Sequence, residues 1–244
     1  RLLPYRDFGH HHVVVDINHL NGVFLHVKKT KNMIALALAG IMSLSLLTGC
    51  GSNQTDTGNT AAKGSRVVIY TAAEDERIAY LQAALDKLRE MGCSVSADET
   101  AKTITVARTR PLHAADFATA PFPGFPTDLQ AQFMVLASVA HGNSIITENV
   151  FENRFMFAAE LVRMGADVRI DGHHALVAGV KRLSGAPVNS TDLRGGAALV
   201  LAGLVAEGQT VVDSIYHIDR GYENYVERLR SVGADVSRVA ECDL

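Results

Sequence analysis

The sequence contains no tryptophan, only three cysteines and only six prolines in 244 residues. The cysteines, at positions 50, 93 and 242, leave one thiol unpaired in any pairing. They show neither a CxxC nor a Cys/His ligand spacing, so neither a disulfide framework nor a structural zinc is expected. An excess of charge of one sign is also missing: 23 Lys and Arg stand against 26 Asp and Glu, for a net charge of -3 and a pI near 6.4. Neutralising nucleic-acid phosphates takes clustered positive charge, so nucleic acid is not expected as a partner and any basic site is local. What is present is 48% hydrophobic and 20% charged residues with a mean hydropathy of +0.11, which excludes a disordered polyelectrolyte and a membrane bundle. At about 150 residues per domain this length allows one or two domains with a buried core.

The chain falls into unlike pieces. One long apolar run, Ile34 to Leu47, follows Lys28, Lys29 and Lys31 and ends in Thr48-Gly49-Cys50. A positive flank, a short apolar stretch and small residues have the layout of a secretory signal. A helix over this run spans about 21 Å, short of the ~30 Å of hydrocarbon in a bilayer, so a permanent transmembrane helix is not expected. Leu47-Thr-Gly-Cys50 resembles a bacterial lipobox, which implies lipidation of Cys50; the competing reading is a buried core helix. Residues 51–65 are small and polar, as in a flexible tether. Residues 1–27 are left as an unassigned leader, with translation expected to start at Val27 and residues 1–26 upstream of it, and the His10-His11-His12 tract is taken as incidental, with no metal site. Residues 66–87 carry the strand-like Val67–Thr71 and then Ile78, Leu81 and Leu85 at helical spacing. With the lipobox, residues 28–87 resemble the opening of a solute-binding lipoprotein of an ABC importer, of which residues 66–87 would be a stub.

From residue 85 onward the sequence repeats itself. Leu88-Arg-Glu-Met-Gly92-Cys-Ser-Val95 is echoed by Leu161-Val-Arg-Met-Gly165-Ala-Asp-Val168 and Leu229-Arg-Ser-Val-Gly233-Ala-Asp-Val236, with the glycines 73 and then 68 residues apart. Each echo reads as a helix closed by a C′ glycine and followed by a short strand. Thr127-Asp128-Leu129 and Thr191-Asp192-Leu193 each open an apolar helix, and the latter contains Leu199–Ala206, apolar nearly all round, as suits a helix buried inside a ring of sheets. A second, half-polar helix is expected to place Phe151, Phe155, Ala158 and Val162 on one face.

The repeat brings charges into register. Asp128 and Asp192 stand at equivalent helix starts, and Arg154 and Arg220 at equivalent strand-to-helix turns. The plain reading makes both aspartates helix N-caps, each worth about 1 kcal/mol, and any single arginine a solvated residue. Arg154, Arg194 and Arg220 beside two aspartates in an acidic chain instead point to an anionic ligand, because guanidinium forks bind carboxylate and phosphate oxygens bidentately and helix N-termini add partial positive charge.

Pro126-Thr-Asp-Leu-Gln-Ala-Gln132, Thr147-Glu-Asn-Val-Phe-Glu-Asn-Arg-Phe155, Leu183-Ser-Gly-Ala186, Thr191-Asp-Leu-Arg194 and Ile215-Tyr-His-Ile-Asp-Arg-Gly-Tyr222 closely resemble the UDP-N-acetylglucosamine enolpyruvyl transferases, in register from about 85 to 241. The resemblance implies an α/β fold, an inside-out α/β barrel of repeated βαβαββ units, incomplete in this chain. It implies a transferase of peptidoglycan biosynthesis, cytoplasmic, that moves enolpyruvate from phosphoenolpyruvate to the 3-hydroxyl of UDP-N-acetylglucosamine and releases phosphate, with no cofactor. It assigns Asp128 as the catalytic base touching the sugar hydroxyl and the Val150 backbone to the amino-sugar. Arg154, Arg194 and Arg220 become the cationic wall facing phosphoenolpyruvate, with Arg220 catalytic, and Asp192 a substrate-site carboxylate. The family's general acid, usually a cysteine on a mobile loop of the other domain, has no counterpart motif at Cys93 or Cys242.

Residues 88–244 are therefore expected to be the C-terminal part of such a transferase, fused near Leu85–Leu88 to unrelated sequence and inactive alone. Residues 1–84 are expected not to pack on it, which would leave strand edges unpaired. The alternatives are a solute-binding lipoprotein, membrane-anchored if the signal is used, and a non-catalytic sugar-nucleotide-binding domain.

Overall fold

A computed structural model describes residues 23–28, 66–70, 75–98, 103–108, 110–231 and 233–240, with side chains from residue 81 onward except at 97, 98 and 103. The apolar run 34–47, Cys50, the tether 51–65, the His10–His12 tract and Cys242 lie outside the described residues.

One complete βαβαββ unit runs through β5 (Phe117–Ala118), α2 (Gln130–Ser138), β6 (Asn143–Thr147), α3 (Ala158–Arg163), β7 (Asp167–Asp171) and β8 (His174–Ala178). Its sheet has the order β5-β6-β8-β7, with β5 parallel to β6 and the other pairs antiparallel. A second unit comprises β9 (Pro187–Asn189), α4 (Leu193–Val205), β10 (Gln209–Asp213), α5 (Tyr216–Asp219), α6 (Tyr225–Ser231) and β11 (Asp235–Ala240). Its sheet reads β9-β10-β1-β11, so β1 (Val23–Lys28) occupies the place that β8 holds in the first. A partial unit of β2 (Arg66–Tyr70), α1 (Asp75–Glu90), β3 (Cys93–Asp98) and β4 (Thr103–Arg108) forms a sheet β2-β4-β3, matching β6-β8-β7.

The helices explain why the sheets lie outside. All nine residues of α2 are buried, as is Gly195–Val205 of α4, and the two helices pack on each other. A helix buried all round, as α2 is even at Gln130, Gln132 and Ser138, meets water on no face, so the sheets and the other inner helix must cover it on every side. The strands supply one apolar face each: β6 and β8 both alternate exposed and buried residues, turning Ile146, Ala175 and Val177 inward. Each large aliphatic side chain so buried contributes about 1.5–3 kcal/mol relative to an exposed one. The repeat glycines Gly92, Gly165 and Gly233 have φ of +101°, +90° and +92°, the left-handed C′ conformation read from the sequence.

Two expectations are corrected. Residues 1–84 were expected to stay apart, but β1 pairs antiparallel with both β10 and β11, and β2 pairs antiparallel with β4. The reason is that the strands of an incomplete unit present unpaired amides and carbonyls, which an extended segment of the same chain satisfies. The half-polar helix is also shorter than its periodicity suggested. It begins only at Ala158; Phe151 is 50% and Val162 45% exposed, while Phe157, Ala158 and Leu161 face the core. Residues 149–151 are instead drawn into a turn by hydrogen bonds described below.

Candidate functional site

Asp128 lies on a short 3-10 turn, Thr127–Leu129, that feeds α2 after the extended Pro126. It caps nothing. Its carboxylate instead receives Arg154 Nη2 on Oδ1 at 2.8 Å, Arg194 Nε on Oδ1 at 3.0 Å and Arg194 Nη2 on Oδ2 at 3.0 Å. Burial pushes the Asp128 carboxyl up, but hydrogen bonds and charge from Arg194 and Arg154 outweigh it and hold the carboxyl below the usual carboxylate range. Arg194 is raised in turn: burial opposes its charge, and bonding to Asp128 and Tyr222 more than restores it.

Each arginine rests on a ring. Arg154 stands 4.7 Å from the centroid of Phe151, and Arg194 5.3 Å from that of Tyr222, whose hydroxyl accepts Arg194 Nη1 at 2.6 Å. Burial, opposed by Arg194, pushes the Tyr222 phenol up to about 12. Arg154 Nε is buried without a partner among the described residues, a donor left over in the site.

Asp192 behaves differently from its repeat equivalent. It is the N-cap of α4, with Oδ1 accepting the backbone N–H groups of Arg194 and Gly195, both at 2.9 Å. The cap thereby fixes the first turn from which Arg194 projects. Arg220, at the end of α5, is exposed and forms no ion pair with Asp128 among the described residues. Its charge acts on His217, which burial and Arg220 push down against the pull of Asp192. Val150 is exposed, and its N–H donates to Glu148 Oε1 at 2.9 Å. Cys93 is a buried thiol that burial pushes up despite Arg108, which is poor chemistry for an acid or nucleophile.

The structure thus joins Asp128, Arg154 and Arg194 directly, places Asp192 at the helix start that carries Arg194, and leaves Val150 and Arg220 exposed and outside that ion-pair cluster. Sequence reasoning missed Tyr222 and Glu148. Both lie inside the quoted motifs, but only burial and contact mark them: Tyr222 is 3% exposed and Glu148 3%.

Helices enclosed by three sheets built from repeated βαβαββ units, with an aspartate bracketed by arginines at the inner helix starts, define an enolpyruvyl-transferase type of inside-out barrel. The EPSP synthase (3-phosphoshikimate 1-carboxyvinyltransferase) family profile matches residues 58–229, and the chain belongs to that family. The match begins ahead of the boundary drawn at 87/88 from the sequence. A UDP-N-acetylglucosamine 1-carboxyvinyltransferase of Granulibacter bethesdensis is 49% identical over 180 residues, covering 74% of this chain and 41% of the relative. The chain therefore spans about two fifths of that relative's length. Among solved structures, the enolpyruvyl transferase NikO from Streptomyces tendae is similar at TM-score 0.66 and 29% identity, covering 84% of this chain and 44% of that one. EPSP synthase from Acinetobacter baumannii, at TM-score 0.59 and 16% identity over 84% of this chain and 47% of that one, shares the fold.

Proposed function

We propose that this chain supplies the aspartate-and-arginine face of a UDP-N-acetylglucosamine 1-carboxyvinyltransferase site, serving peptidoglycan biosynthesis in the cytoplasm. The observation that carries the reading is Asp128 held between Arg154 and Arg194. The sugar 3-hydroxyl must lose a proton as it attacks phosphoenolpyruvate, and Asp128 is the base that takes it. With both arginines on its oxygens Asp128 is a poor base. An incoming phosphate and carboxylate compete for the same guanidinium forks, and as the arginines turn to them Asp128 regains basicity. The anionic co-substrate thus arms the base it needs. Arg220 joins the cationic wall, and the Val150 carbonyl faces the amino-sugar, its N–H being engaged by Glu148.

The chain is proposed to bind without turning over, since no cysteine here stands in the family's general-acid motif and Cys93 is buried. If Cys50 is lipidated, the domain is instead held at a membrane. Differential thermal denaturation of the full chain tests the binding. Millimolar UDP-N-acetylglucosamine raises the midpoint, ligand at 100 times its Kd adding about 2.7 kcal/mol, and Asp128→Asn abolishes the rise. No shift in the parent chain would sink the reading, and phosphate release requiring both substrates would sink the claim of inactivity.

A further inference from the structure

Behind Asp128 and Arg154 lies a second carboxylate, shielded from solvent. Glu148 immediately follows β6, and its N–H donates to the His173 carbonyl at 2.8 Å, tying it to the neighbouring strand pair. Its Oε1 accepts the Thr119 hydroxyl at 2.8 Å, the Val150 N–H at 2.9 Å and the Phe151 N–H at 3.1 Å. Its Oε2 accepts the Thr127 hydroxyl at 2.9 Å. A carboxylate taken out of water is costly unless its lone pairs are met, and here four donors meet them.

The origin of those donors is the informative part. Thr127 immediately precedes Asp128. Val150 and Phe151 lead to Arg154, and the Phe151 ring lies under the Arg154 guanidinium. Thr119 is the third anchor, and it is tied again to the loop by Asn149, whose backbone N–H reaches its hydroxyl at 2.9 Å and whose Nδ2 reaches its carbonyl at 3.2 Å. One side chain therefore grips both segments whose charged residues meet at 2.8 Å.

We propose that Glu148 is a positioning residue of the site: its carboxylate holds the turn bearing Asp128 and the loop bearing Val150, Phe151 and Arg154 in fixed relative placement. The role concerns the same site as the proposed function and takes its catalytic meaning from that reading, but the placement itself is testable without substrate. A ligand that must meet the Val150 backbone, Asp128 and Arg154 together finds them already arranged, which is the entropy-saving use of such a support.

The experiment follows the Asp128 carboxyl by carbon-13 NMR through a pH titration of the full chain and of Glu148→Ala, Glu148→Gln and Thr127→Val. The charges acting on Asp128 are those of Arg194 and Arg154, so loss of Glu148 reaches its titration through geometry. Glu148→Ala is expected to raise the Asp128 midpoint toward the usual carboxylate range, and Thr127→Val to raise it by less. Glu148→Gln, which keeps an oxygen for Thr119, Val150 and Phe151, stays near the parent. An unmoved midpoint in folded Glu148→Ala, or a Glu148→Gln midpoint as displaced as that of Glu148→Ala, overturns the proposal. If Glu148→Ala does not fold, an unmoved midpoint in Thr127→Val does so. Calorimetric binding of UDP-N-acetylglucosamine separates the two readings. A parent that fails to bind defeats the proposed function and leaves the titration to decide on Glu148. A parent that binds while folded Glu148→Ala binds about tenfold more weakly supports both, and equal affinity overturns the positioning role.

Discussion

Asp128 and Arg194 stand 66 residues apart in the chain and meet in a two-pronged ion pair, Nε to Oδ1 and Nη2 to Oδ2, each at 3.0 Å. The pair links the entry of α2 to the first turn of α4, so one contact joins the two inner helices and builds the site. Fork-to-carboxylate geometry of this kind is what arginine supplies and lysine does not.

Because Asp128 is lowered in the folded chain, its pairing stabilises the fold above the unfolded carboxyl value of about 3.9, and that stabilisation is lost as pH falls through the lower folded value. The Asp128 side chain is 43% exposed, and solvent screening limits the contribution to about 1 kcal/mol or less. Asp128→Asn is thus expected to lower stability at pH 7 and to match the parent in strong acid. Urea denaturation at the two pH values checks this, and an unchanged difference between them would contradict the assignment.

Tyr222 is held as a neutral phenol with a folded value of about 12. The sign is that of a raised group: its contribution is complete below the unfolded value of about 10 and disappears as pH rises toward 12. Without tryptophan, tyrosinate absorbance can be read cleanly. Tyr222→Phe should remove one late-titrating phenol and, by taking a partner from Arg194, cost about 1.5 kcal/mol in denaturant unfolding. A lost component that titrates at the ordinary tyrosine value of about 10 would refute it.

Asp192→Ala should destabilise the chain by about 1 kcal/mol through loss of the α4 cap, while Asp192→Ser, which keeps an acceptor, recovers most of it. Thermal or urea denaturation measures both. Equal stability of the alanine and serine variants would mean that the cap does not matter energetically.

β1 makes the lipobox reading physically testable. Cleavage before Cys50 would remove Val23–Lys28 and strip β10 and β11 of the strand between them. A chain beginning at Cys50 is expected to melt lower and aggregate more than the full chain, as open strand edges do. Light scattering and a melting curve settle the matter, and a truncated chain as stable as the full one would show the strand to be dispensable.

Much of the architecture was legible in the sequence. The apolar α4, the alternating strands and the C′ glycines after each echo follow from side-chain hydropathy and from the small cost of left-handed φ at glycine, both local properties. The alignment of Asp128 with Asp192 and of Arg154 with Arg220 was legible too, because the repeat sets it. Their division of labour was not. Asp192 caps a helix and Asp128 binds two arginines because Arg194, held by the Tyr222 hydroxyl, reaches Asp128 from the second unit, a matter of three-dimensional approach. The late start of α3 is only partly of that origin: the N–H groups of Val150 and Phe151 donate to Glu148, two and three residues earlier, against a helical periodicity that held Phe151 on the apolar face, while Thr119 and Thr127, brought up by the fold, hold that carboxylate in place. The place of Val23–Lys28 between β10 and β11 was likewise decided by tertiary structure alone. Composition assigns a segment its preference for extension, but only a sheet with two unpaired edges determines where that extension is satisfied.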